Sequence, residues 1–281
     1  MPALPAPFSL PQRTWVAFCG AAVLLGLSAL TGAKAAEIKV LSTVAVKAVM
    51  EELIPQFERS SGHTVSIEFG TSAALKRQVD AGGRFDVFIV TPSETIDDLI
   101  KQEKVAAGTR TDFARTGVGV AVRAGTPKPD ITSVDAFKRA LVSARSVGYT
   151  DPARGGTSGV YLAGLIERLG IGAELKPKTR LSAGIPVLVE ALANGDVEIG
   201  MLQISEIVPD RRLELVGPLP PGLEKTTVIA AGMMMSSAHP EASRALMKFL
   251  TSPAAVSVIR GKGLVARGDQ GERSASIWMR T

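Results

Sequence analysis

The chain of 281 residues has one cysteine, Cys19, and two histidines, His63 and His239. A single thiol cannot close a disulfide within the chain. So small a His/Cys set also excludes a zinc cluster of those ligands and a haem site. Aromatics make up 5% of the residues, and the only tryptophan after residue 35 is Trp278. Sugar and single-stranded nucleic acid sites rest on aromatic platforms, so both are disfavoured. The formal net charge of +5 is mild, and the +3 left after residue 35 is too weak to argue for a nucleic acid partner. No G-x-S-x-G, G-x-x-x-x-G-K-[ST] or G-x-G-x-x-G occurs, and Gly156-Thr157-Ser158-Gly159-Val160 lacks the closing glycine of the first. His63 stands at a turn before a strand and His239 before Pro240 at a helix start, places for capping rather than for a catalytic triad. The carboxylates, Asp97-Asp98 included, are scattered over helix faces, which argues against a metal site. Met233-Met234-Met235 reads as core packing, and Arg267-Gly268-Asp269 as a chance tripeptide. These absences lead to the expectation that the chain is not an enzyme and needs no cofactor.

Only one long apolar run is present, Trp15 to Leu30. Arg13 precedes it and Ala33-Lys34-Ala35 follows, so residues 1–35 have the basic start, apolar middle and small-residue exit of a secretory signal peptide. About 20 residues are needed to span a bilayer, and this run is shorter. A lipid anchor on Cys19 is disfavoured because bulky Phe18 precedes it and the apolar run follows it. The chain is therefore expected in the periplasm, and cleavage after Ala35 would remove its only thiol.

From residue 36 the pattern alternates strand and helix. Ile38–Leu41 is a short apolar strand; Val46, Val49, Met50, Leu53, Ile54 and Phe57 then mark one helix face, which Pro55 is expected to kink or end early. Val65, Ile67 and Phe69 alternate as a strand before a helix capped by Thr71 or Ser72. Strands follow over 85–90, 117–123, 146–150, 197–202, 213–216 and 226–234, with helices over 93–102, 158–169, 186–194, 240–250 and 253–260 and another capped by Ser133. Gly170 and Gly195 stop two of them. Such alternation predicts an α/β fold of mainly parallel sheets flanked by helices. Its restart after residue 125 predicts two lobes: 36–120 in the first, 121–205 in the second, 206–264 returning to the first, and 265–281 a flexible tail.

The remaining signal lies in three hydroxyl- and glycine-rich turns, each following a strand and opening a helix. They are Ser42-Thr43-Val44-Ala45, Gly70-Thr71-Ser72-Ala73 and Gly155-Gly156-Thr157-Ser158-Gly159. In an open α/β sheet such turns lie at the carboxyl ends of the strands, where ligands bind. Free helix N–H groups and hydroxyls there make an anion site that needs no catalytic group. Lys47 and Arg154 stand beside these turns.

With these residues in view, the chain resembles the periplasmic molybdate-binding proteins of ABC transporters over residues 37–264. The resemblance rests on Ile38–Met50, on Phe69–Val90 with Leu75, Arg77-Gln78, Ala81-Gly82, Asp86 and Phe88-Ile89, on Asp151-Pro152 through Tyr161, on Gly195–Met201 and on Phe249–Ala255. It implies the two-lobe type II periplasmic-binding-protein fold, with a hinge of two crossing strands that closes on a small anion. It also implies a membrane permease as partner and a monomer with no nucleic acid bound. Carried over residue by residue, the site falls on Thr43, Ala45, Thr71, Ser72, Ser158, Ile185 and Gln203. Ala45 stands where the family has a serine, leaving only its backbone N–H, and Gln203 stands where the family has a tyrosine. A glutamine is both donor and acceptor, which suits a protonated or organic anion. The expectation is a solute-binding protein that captures a small anion, molybdate-like or related. A ligand-sensing module and an exported enzyme on the same scaffold are the alternatives.

Overall fold

The computed structural model describes residue 3 and residues 35–269. The expected signal peptide and residues 270–281 of the expected tail thus fall almost wholly outside the described residues. The chain divides into two units, Met1–Ala35 and Ala36–Thr281, and the fold below is that of the second.

Its strands are β1 (Glu37–Thr43), β2 (Thr64–Gly70), β3 (Val87–Val90), β4 (Thr111–Arg123), β5 (Val147–Thr150), β6 (Thr179–Ser182), β7 (Ile199–Gln203), β8 (Leu213–Pro218), β9 (Thr226–Met233) and β10 (Val265–Ala266). Its helices are α1 (Lys47–Ser61), α2 (Ser72–Asp80), α3 (Glu94–Lys101), α4 (Val134–Ser143), α5 (Thr157–Arg168), α6 (Gly172–Leu175), α7 (Ile185–Asn194), α8 (Ile204–Ile207), α9 (Pro240–Phe249) and α10 (Pro253–Gly261). The strand order is β2-β1-β3-β9-β4-β7-β5-β6, with β8 and β10 also paired to β4. β1 pairs in parallel with β2 and β3, and β5 with β6 and β7. Every antiparallel pair involves β4 or β9.

β4 makes two lobes of this sheet. Its first half, Thr111 to Gly117, pairs with β9; its second half, Val118 to Arg123, pairs with β7 and β8. β8 is thus in the second lobe, where Leu213 packs with Leu188, Leu192 and Leu202. The chain therefore returns to the first lobe between Pro218 and Thr226, not at residue 206 as expected. The expected tail also begins too early, because Val265 and Ala266 are buried and pair with Arg115 and Ala114.

Successive strand residues point to opposite faces, and both faces are covered by helices. Val40 joins a core with Val49, Leu53, Leu246 and Ile259. The next residue, Leu41, joins another with Leu75, Phe88, Ile96 and Leu99. In the second lobe, Val120 packs with Phe137, Leu162 and Ile199 on one face, and Ala121 with Leu188 and Leu192 on the other. α1 continues past Pro55 to Ser61, so the helix does not end early there. Pro55 is exposed, so the carbonyl it leaves without a helix partner can turn to water. Met233 and Met234 are buried as read, whereas Met235 is 62% exposed.

A buried carboxylate locks the first lobe. Asp86 accepts from the N–H of Lys39, from Ser237 Oγ and from the N–H of Ala238, each at 2.8 Å, and from the N–H of His239 at 3.3 Å. Burial alone would raise its pKa, but these hydrogen bonds outweigh burial and hold it below the usual aspartate value.

Candidate functional site

Each parallel strand ends at a turn facing the same space. From the first lobe come Thr43 and Val44 after β1, Gly70 to Ser72 after β2, and Thr91 after β3. From the second come Thr150 and Asp151 after β5, Arg154 to Ser158 at the start of α5, Ala183 to Pro186 at the start of α7, and Gln203 with Glu206. Together they enclose a cavity of about 180 Å³. A single water needs only ~15 Å³, so the cavity admits a small organic molecule. Gly159 keeps this wall close: a Cβ there would stand 2.3 Å from the carbonyl oxygen of Thr150.

Of the expected site residues, Thr43, Thr71, Ser72, Ser158, Ile185 and Gln203 border this cavity. Ala45 does not. It is 2% exposed beneath the turn, and its N–H, expected to serve a ligand, donates to Thr43 Oγ1 at 3.4 Å. Val44 takes its place in the lining. Lys47 also turns away, pairing with Glu51 at 3.6 Å, whereas Arg154 borders the cavity with no ion-pair partner among the described residues.

Two expected anion donors are already occupied, the first of them across the cleft. Thr71 Oγ1 donates to the carbonyl of Arg154 at 3.1 Å, and Ser72 Oγ donates to the carbonyl of Thr91. Thr157 Oγ1, from the other lobe, donates to that same carbonyl at 3.1 Å. The lobes are thus held together by hydroxyls bonding to backbone. Different atoms are left open. Among the described residues, the buried side-chain polar atoms without a partner are Thr91 Oγ1, Thr150 Oγ1 and Gln203 Oε1, and all three residues border the cavity. Buried polar groups are nearly always paired, so three orphans on one cavity make it the candidate site. Gln203 heads α8 in a capping-box arrangement, but its Oε1 still makes no hydrogen bond of good geometry.

Thr91, Thr150 and Glu206 were missed from sequence. The one available signal for Glu206 was its spacing, three residues after a helix-heading Gln203. Its Oε2 accepts from the N–H of Gln203 at 3.0 Å. Among the described residues no cation pairs with it, and burial pushes its pKa up to about 8, with that hydrogen bond acting the other way. It also borders an outer groove of about 480 Å³, so it stands between cavity and groove. A carboxyl whose pKa rises on folding favours the folded state at low pH. That contribution is complete below about pH 4.5 and is lost as the pH rises through about 8. We expect the melting temperature of the ligand-free protein to fall over this range. Glu206→Gln should flatten the fall, and an unchanged profile in that variant would contradict it.

Comparisons with known proteins bear on what this site holds. Residues 38–265 match the family model for bacterial extracellular solute-binding proteins. The chain is similar to an aconitate isomerase from a Pseudomonas species, 32% identical over 251 residues, covering 87% of this chain and 94% of that one. It is also similar to the molybdate-binding protein ModA of Azotobacter vinelandii, 26% identical, covering 86% and 95%. The solved structure of the periplasmic molybdate-binding protein from Azotobacter vinelandii superposes with a TM-score of 0.67 at 20% identity, over 81% of this chain and 98% of that one. The type II periplasmic-binding-protein fold is thereby shown. The expectation of a non-enzyme is overturned, because a relative at 32% identity over most of the chain is an isomerase. The motifs searched for belong to nucleophilic and nucleotide chemistry, so their absence left other enzyme classes open.

Proposed function

The chain belongs to the bacterial extracellular solute-binding protein family, and on that footing we propose that it captures a small organic polycarboxylate of the aconitate class and isomerises it. The observation that carries this reading is the pair of orphaned hydroxyls of Thr91 and Thr150, beside Arg154, on a cavity that also has apolar walls at Val44, Ile185 and Pro186. Hydroxyls, the Arg154 guanidinium and the N-termini of α5 and α7 suit carboxylates spread along a carbon skeleton, and the apolar walls suit the skeleton itself. A compact oxyanion needs donors on every side. The substitutions at Ala45 and Gln203 remove two of the hydroxyls that the molybdate resemblance implies.

In this reading residues 1–35 export the chain to the periplasm, where it acts as a monomer. A second role, delivery of the same ligand to the permease of an ABC importer, draws support from the similarity to ModA over 86% of the chain.

The test is thermal unfolding of the purified protein against trans-aconitate, cis-aconitate, citrate, molybdate, tungstate and sulfate. A ligand at ~100 times its Kd stabilises by about 2.7 kcal/mol. The tricarboxylates should raise the melting temperature and the oxyanions should not. A rise with molybdate and tungstate alone would overturn the reading.

A further inference from the structure

We propose that Glu206 is the catalytic acid–base group of this site, carrying one proton between two carbons of a bound unsaturated polycarboxylate. The assignment rests on the polycarboxylate reading above.

The geometry singles out this carboxyl. Asp151 and Glu206 are the acidic residues lining the cavity. Asp151 is used structurally, since its Oδ1 accepts from the N–H of Ala153 at 2.9 Å to cap the turn before α5. Glu206 has one oxygen anchored on the N–H of Gln203, and its other oxygen makes no hydrogen bond to any described residue. It is thus fixed at one atom and open at the other, and it shares the lining of cavity and groove with the apolar Val44, Ile185 and Pro186. A carboxyl whose pKa lies near the working pH is present in both forms, so its ionised form can take a proton and then return it, and burial has moved Glu206 to about 8.

The step balances without a co-reactant. In an aconitate-class ligand one end carbon is a methylene and the other is part of the double bond. The ionised Glu206 removes a methylene proton, and that C–H electron pair becomes a new double bond to the central carbon. The old double-bond pair moves to the other end carbon, which takes the proton back from Glu206. Nothing is oxidised, reduced or lost. Both end carbons bear a carboxylate, so the shifted double bond restores the same skeleton, and either geometrical isomer can form. Charge on the carboxylates of the intermediate carbanion would be met by Arg154 and by the hydroxyls of Thr91 and Thr150, as in other preorganised anion sites.

The charged groups facing Glu206 leave it the natural titrating group. On the cavity side they are Asp151 and Arg154. On the groove side Lys47 pairs with Glu51, and Arg212 with Glu190 and Asp210, leaving Arg211. Neither histidine borders cavity or groove.

The test follows trans-aconitate by proton NMR with wild type, Glu206→Gln and Glu206→Asp, and measures binding separately by thermal shift. Glu206→Gln should lose at least ~100-fold in turnover while trans-aconitate still raises its melting temperature. Turnover at the wild-type rate in Glu206→Gln overturns the assignment and leaves the ligand reading standing. A wild type that neither binds nor converts the tricarboxylate overturns the ligand reading and the assignment with it. Should Glu206→Gln fail to fold, the wild-type pH profile decides. Turnover should rise with pH toward a plateau above about 8, and Glu206→Asp should shift that midpoint. A flat profile overturns the assignment.

Discussion

Gly155→Ala is expected to weaken tricarboxylate binding by roughly 10- to 100-fold, equivalent to about 1.4–2.8 kcal/mol. Gly155 closes the turn before α5 in the second lobe at φ +71°, and a Cβ placed on it would stand 2.4 Å from the Cβ of Ala73 on α2 of the first. Real side chains do not approach so closely, so the lobes must part. Parting them breaks the hydrogen bonds of Thr71 to Arg154 and of Thr157 to Thr91. Apparent affinity falls in proportion to the lost population of closed protein. The backbone contributes separately, because an alanine at positive φ costs about 1 kcal/mol wherever it is placed. Gly62 supplies the control: it has φ +73° and nothing within 4 Å of an added Cβ. Titration calorimetry should find Gly62→Ala destabilised but binding normally, and Gly155→Ala weak in binding as well. Equal affinities in the two variants would refute closure by these contacts.

Asp86→Ala should destabilise the protein by about 3–4 kcal/mol, a large share of the roughly 5–15 kcal/mol that keeps a domain folded. The carboxylate is 3% exposed and serves the N–H groups of Lys39, Ala238 and His239 as well as the hydroxyl of Ser237. Alanine leaves those donors without an acceptor and puts nothing in their place. Because the native pKa is depressed, the stabilisation by Asp86 is present above about pH 4 and disappears as the pH falls through the native value. Denaturant unfolding should show wild type losing stability on acidification and Asp86→Ala losing less, having less to lose. Asp86 does not border the cavity, so at neutral pH the folded fraction of the variant should bind ligand with wild-type affinity.

The sequence announces its helices better than its crossing strands. Thr71 and Ser133 cap α2 and α4 as their spacing predicts, each accepting from an N–H three residues on. Gly195 ends α7 in the left-handed conformation. By contrast, the first half of β4 includes Thr111, Asp112, Arg115 and Thr116, and β6 reads Thr-Arg-Leu-Ser. These segments are strands because their neighbours supply the pairing, and no local apolar pattern reveals them. The membership of β8 in the second lobe was hidden for the same reason, since lobe membership is a matter of partner.

The site divides similarly. Turn chemistry brings out Thr43, Thr71, Ser72 and Ser158, because hydroxyls opening helices have a local signature. What those hydroxyls do was not legible. Thr71 and Ser72 bond backbone carbonyls, whereas the atoms left open belong to Thr91 and Thr150, single threonines at strand ends with no motif around them. Glu206 looks like a capping residue in sequence and is one. Its further role depends on walls contributed by both lobes, from Val44 to Pro186.

The most direct measurement is a proton NMR time course of the purified protein with trans-aconitate, run beside a molybdate titration of the same sample. The account predicts growth of cis-aconitate signals in proportion to protein concentration, unaffected by added molybdate. An unchanged trans-aconitate spectrum, together with tight molybdate binding, would contradict it.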